Sequence, residues 1–184
     1  VSLGDSASGE ELGDALRRLG GQRHEFASQL WGELSNQQKI SVYLNKIDSF
    51  LRSAESANLS VSQIDFIENS KNIMRRAFEE NWHGNEDEYL YFSMQTVEVL
   101  GLKIAGDIYG ARALWPRTPT TIDITQENTS SAELPQCDCS RSHQTACNYS
   151  PNMCASSAGR CEAGNRDCGV FGVTLCDGKC LNIQ

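Results

Sequence analysis

Along the first 115 residues, apolar side chains recur at steps of three and four, the spacing that gathers them on one side of an α-helix. Behind Ser35 the stripe is Ile40, Tyr43, Leu44, Ile47, Phe50, Leu51 and Ala54. Behind Ser60 it is Ile64, Ile67, Met74, Phe78 and Trp82, supported by Ile73 and Ala77. Behind Asn85 it is Tyr89, Leu90, Ser93, Val97, Leu100, Ile104 and Ile108. Each of these three starts is followed, at the third position, by Gln38, Gln63 or Glu88, so the cap side chain and its partner can satisfy each other's orphan amides. Glu86, Asp87 and Glu88 place negative charge where the third helix dipole favours it, while Gly101 and Gly106 weaken its later turns. An earlier segment, 10–34, carries Leu12, Leu16 and Leu19 before Gly20-Gly21 and Phe26, Leu30 and Trp31 after it, which predicts two shorter helices. The three caps are equally spaced, yet the segments share few residues beyond them, so helix length and not an internal repeat explains the spacing. Helices with one apolar stripe, joined by short loops, predict an antiparallel bundle of about four over 1–115.

The periodicity then stops. Trp115 before Pro116 is expected to end the last helix, and 116–136 reads as a Pro/Ser/Thr-rich linker. Prolines fix its backbone and its Ser/Thr run has no apolar face, which marks Pro116, Pro119, Ser130, Ser131 and Pro135 as a candidate processing site.

All eight cysteines lie in 137–184: Cys137, Cys139, Cys147, Cys154, Cys161, Cys168, Cys176 and Cys180. A segment this short cannot bury enough apolar surface to offset its ordering entropy, so disulfides or a metal must support it. Zinc sites usually present ligand pairs two to four residues apart, and only Cys176 and Cys180 are so placed, which favours four disulfides. Roughly a hundred pairings of eight cysteines are possible and spacing does not choose among them. The expected fold is therefore an all-α N-terminal helical bundle followed by a small disulfide-rich C-terminal module. Its bridges imply an oxidising compartment, secreted or at the cell surface. Val170, Phe171, Val173 and Leu175 either form an exposed target contact or supply what little core the module has.

The net charge of -8 resides mainly in front: -6 over 1–115, -2 over the linker and zero over the module. No basic face for a nucleic-acid partner is visible. No run approaches the roughly 18 apolar residues of an integral membrane span. The start, Val1-Ser2-Leu3-Gly4-Asp5, lacks the features of an export signal, so such a signal is expected to be removed or to lie outside this sequence.

Cys137-Asp138-Cys139-Ser140, the near-even cysteine spacing, Gly169-Val170-Phe171-Gly172 and Cys176-Asp177-Gly178-Lys179-Cys180 resemble the eight-cysteine peptide of the fulvocin C-related bacteriocins. The resemblance covers about the last quarter of the chain, and the closing cysteine pair is more widely spaced here. It implies a secreted antimicrobial or its precursor, with the module as effector and the helical domain as carrier or pro-region. A neutral module fits a target-cell surface receptor or cell-wall component better than charge-driven lipid binding. The competing expectation is a non-toxic extracellular binding or adhesion protein with a permanent cysteine-rich recognition module.

An enzyme is not expected, nor a cofactor or metal. His24, His83 and His143 are scattered, and no phosphate loop, nucleophile elbow or His-Glu-x-x-His motif occurs. His24 reads as a helix-surface residue and His83 as part of a helix-ending turn. The triplets at Asn58, Asn128 and Asn148 satisfy the N-glycosylation pattern but arise easily in a Ser-rich chain.

Overall fold

Ser8 accepts a hydrogen bond from the Glu11 amide, and the Glu11 carboxylate accepts one from the Ser8 amide, so the first helix begins at a reciprocal capping box. The Ser8 amide holds the Glu11 carboxyl below its usual range. In the computed structural model the described residues are 7–79, 86–110, 114, 137, 152–156, 161, 168, 170–171 and 176–182. Among the described residues five α-helices occur in order: α1 (Gly9–Gln22), α2 (His24–Glu33), α3 (Asn36–Leu51), α4 (Val61–Glu79) and α5 (Glu86–Tyr109), with a short 3-10 turn at Ala54–Asn58.

The Ser35–Gln38 box caps α3 as its sequence predicts, and Ser60 exchanges the same pair of bonds with Gln63 ahead of α4. Asn85 lies outside the described residues. The α1–α2 break differs from expectation. The helix runs through Gly20 and Gly21 and stops at Arg23, whose backbone is extended and whose amide still reaches the Leu19 carbonyl. Two glycines cost only about 2 kcal/mol of helix propensity, which burial of Leu12, Ala15 and Leu16 outweighs. The far end of α5 also differs: Tyr109 is its last residue and Gly110 leaves it in a β-bridge, ahead of the expected stop at Trp115.

Side-chain contacts fix how the helices run. Asn36, at the start of α3, donates to the Phe78 carbonyl near the end of α4 (2.7 Å), while Asp48 late in α3 pairs with Lys71 in mid-α4 (2.6 Å). Those two helices are antiparallel. Gln63 at the start of α4 donates to the Val99 carbonyl of α5 (2.9 Å), and Arg76 late in α4 meets Glu88 at the start of α5 (2.9 Å), so α4 and α5 are antiparallel too. Helix α1 packs on α2 and α3, and at Gly9 it approaches the Ser41 backbone so closely that a Cβ has no room. The expected stripes form the interior: Ile40, Tyr43 and Ile47 from α3, Ile67, Met74, Ala77 and Phe78 from α4, Leu100 and Ile108 from α5. Within α5, Gly101 takes the left-handed region (φ 78), a conformation that glycine adopts without steric cost, and kinks the helix.

Among its described residues the module contributes two strands, β1 (Asn152–Ser156) and β2 (Gly178–Asn182), antiparallel with Cys154 opposite Cys180. Cys137 is bridged to Cys161 and Cys168 to Cys176, and these four sulfur-bearing residues form one buried cluster. Cys154 is disulfide-bonded as well. Cys180 lies on β2, while Cys139 and Cys147 lie outside the described residues.

Candidate docking site for the C-terminal module

The carbonyls of a helix's last turn have no partner within the helix, and a buried helix end must find them elsewhere. At the end of α5 the Tyr109 carbonyl accepts the Tyr43 hydroxyl (3.3 Å) and the Phe171 amide (2.8 Å), and the Gly110 carbonyl accepts the Lys46 ammonium (3.3 Å). Gly110 and Val170 form an antiparallel β-bridge. Two partners of this helix end come from α3 and the others from the cysteine module, so the segment after Cys168 caps α5.

Phe171 completes the arrangement. Its ring lies 5.5 Å from Tyr43 edge-on, 5.5 Å from Phe92 stacked, 5.8 Å from Tyr109 edge-on and 6.3 Å from Phe78. Both geometries, edge-on and stacked, are ones aromatic quadrupoles favour. Trp31 extends the cluster, edge-on to Tyr43 (5.8 Å) and Phe78 (6.2 Å). Three different helices supply the four rings around Phe171, and the ring at their centre comes from the tail.

Val170 and Phe171 are each 0% exposed and belong to the bundle's core cluster, separate from the buried cysteine cluster. They are therefore not an exposed target contact. They do provide core, but to the helical bundle, where rings from α3, α4 and α5 surround Phe171. Val173, Leu175 and the linker residues Pro116, Pro119, Ser130, Ser131 and Pro135 lie outside the described residues.

Phe171 has φ 59, the left-handed region, which costs an L-residue with a bulky side chain about 1–2 kcal/mol. Such a conformation persists only where the surroundings over-determine it. Here the hydrogen bond from the Phe171 amide to the Tyr109 carbonyl, the bridge at Val170 and the four rings do so. The loop closed by Cys168 and Cys176, only 8 residues apart in sequence, presents the pair.

Electrostatics at this corner are unusual. Burial draws the Lys46 ammonium down to about 7, against the attraction of Asp107, and Arg17 adds to the depression. Lys46 also lies over the Tyr43 ring (5.7 Å). Burial pushes the Tyr109 phenol well above its ordinary value, although its bond to the Ser70 hydroxyl (2.8 Å) opposes this. In turn Ser70 donates to the Ile67 carbonyl (2.6 Å), so the buried hydroxyls form a satisfied chain.

This geometry supports docking of the C-terminal module on the bundle. Among the described residues no group of His, Cys, Asp and Glu is placed to hold a metal, and no helix is long and apolar enough to cross a membrane. The bridged Cys137, Cys161, Cys168 and Cys176 have their sulfurs committed to each other, which removes Cys176 from the zinc alternative. His24 begins α2, while His83 and His143 lie outside the described residues. The chain matches no protein-family model, no curated protein and no solved structure.

Proposed function

We propose that this chain is a secreted, bacteriocin-like protein in which the helical bundle carries a disulfide-stapled effector module and holds it through Val170 and Phe171. The observation behind the carrier role is the seat of Phe171, whose ring and amide are both engaged by the bundle. The antimicrobial role rests on the resemblance of the cysteine peptide to the fulvocin C-related bacteriocins. Disulfide bonds in the module fit an oxidising, extracellular setting, and an effector with no net charge fits a surface receptor or wall component. Cleavage within 116–136 leaves the module attached by its docked loop, so a released effector also requires Phe171 to leave its seat.

The same seat favours a second reading: a permanent extracellular binding or adhesion protein, since the bundle without Phe171 has a gap among its aromatic rings. Growth inhibition separates the two. Oxidised intact chain, chain cut in the linker, and purified module are each applied to a panel of bacteria. Zones from the module but not from the intact chain support the carrier and effector. Absence of any zone at micromolar concentration from correctly bridged module overturns the antimicrobial reading in favour of the binding protein.

A further inference from the structure

The bundle also has the geometry to direct sulfur chemistry. Val170 and Phe171 lie inside the loop that Cys168 and Cys176 close. Docking fixes that loop at a backbone bridge to Gly110, at the Phe171 amide on the Tyr109 carbonyl, and at the ring itself. Phe171 adopts a left-handed backbone that a free loop has no reason to hold. Its conformation is thus supplied by the helices, and the two cysteines flank the residues so held.

We propose that the helical bundle is an intramolecular template for oxidative folding: by seating Val170 and Phe171 it brings Cys168 to Cys176 and selects that bridge from the many pairings available. The bridge forms by thiol–disulfide exchange with a small disulfide oxidant such as oxidised glutathione. One cysteine thiolate attacks the oxidant, releasing one glutathione thiol and leaving a mixed disulfide. The second thiolate attacks the protein sulfur of that mixed disulfide and releases the other glutathione. Two cysteine protons and two electrons end on the two glutathione thiols. Cys168 and Cys176 share their buried cluster with Cys137 and Cys161, 24 residues apart in sequence, so the templated bridge precedes and positions the wider one. This inference rests on the carrier reading of the bundle and is independent of any antimicrobial activity.

The test uses the full chain, reduced and unfolded, then diluted into glutathione redox buffer. Samples are quenched with alkylating agent at intervals and mapped by peptide mass spectrometry. Wild-type chain is expected to show the Cys168–Cys176 bridge first and in nearly every molecule. Phe171→Ala is expected to lose most of that preference, with the share of this pair falling several-fold toward the roughly one in seven of random pairing. Wild-type chain oxidised in urea sufficient to melt the helices is expected to scramble in the same way. The rival explanation is that the short loop closes by itself. Native pairing at the wild-type rate in Phe171→Ala, or in wild-type chain with its helices melted, would establish the rival and overturn the template. No target cell enters the measurement, so its failure is distinct from a failure to inhibit growth.

Discussion

Replacing Phe171 with Ala perturbs the helices from a position far downstream of them in the sequence. The ring is fully buried and touched by four aromatic rings of the bundle. Its transfer from water is worth roughly 2 kcal/mol. The space left behind, on the order of 100 Å³ if the aromatic walls stand still, adds about 2 kcal/mol at the measured cost of core cavities. The sum, about 4 kcal/mol, falls within the range of roughly 3–5 kcal/mol typical of buried Phe→Ala changes. Backbone strain does not alter the estimate, since Ala at a left-handed position is strained much as Phe is. For a chain of this length that loss lowers the melting temperature by about 10 °C. The assay is far-ultraviolet circular dichroism at 222 nm, where the helices dominate the signal. A shift in the helix melt therefore reports energy crossing between the two parts. A melt within about 1 kcal/mol of wild type would refute the reasoning and show the bundle to be complete without its sixth ring.

Three further perturbations follow from the same geometry. Lys46 binds fewer protons folded than unfolded between pH 7 and its ordinary value, so stability rises with pH across that interval, by about 1–2 kcal/mol between pH 7 and 9 once partial exposure of the side chain is discounted. Lys46→Met should flatten this slope in urea melts at a series of pH values, and an unchanged slope would remove Lys46 as its source. Changing Cys168 and Cys176 together to Ser releases a loop whose closure is worth about 2–3 kcal/mol by chain entropy, and it should lower the helix melt because the loop presents Phe171. A helix melt identical to wild type would uncouple bridge from bundle. Ser35→Ala, which removes one arm of the α3 capping box, should cost about 1 kcal/mol in the same assay without altering disulfide maps.

The bundle was largely legible because its cause is local. Three-and-four spacing requires that Ile47, Ile67 and Ile108 share faces with their neighbours, and all three are fully buried. Ser35 and Ser60 act through residues three positions away, so a cap can be read from a few letters. Boundaries were less legible, because Gly20 and Gly21 are tolerated when Leu12 and Leu16 pack, and the break falls at Arg23. Phe92 and Tyr109 lie off the expected α5 stripe yet are buried, since α5 meets α3, α4 and the tail and needs a broader apolar face. Phe171 was hardest. Its apolar surroundings were visible, but the choice among module core, exposed contact and bundle core depends on pairing with Gly110, which no periodicity encodes. What the letters did offer was a short apolar stretch, Val170-Phe171, set between Gly169 and Gly172.

The contact between Phe171 and Tyr43 joins residues 128 positions apart. Closing so large a loop is costly in entropy before any contact rewards it, and a topology rich in distant pairings folds slowly. During synthesis, α1 to α5 emerge well before the ring that completes their centre, and until it arrives the assembly is unfinished. For the exported protein proposed above, that delay would be an advantage, because a polypeptide that has not closed its interior can still be threaded across a membrane.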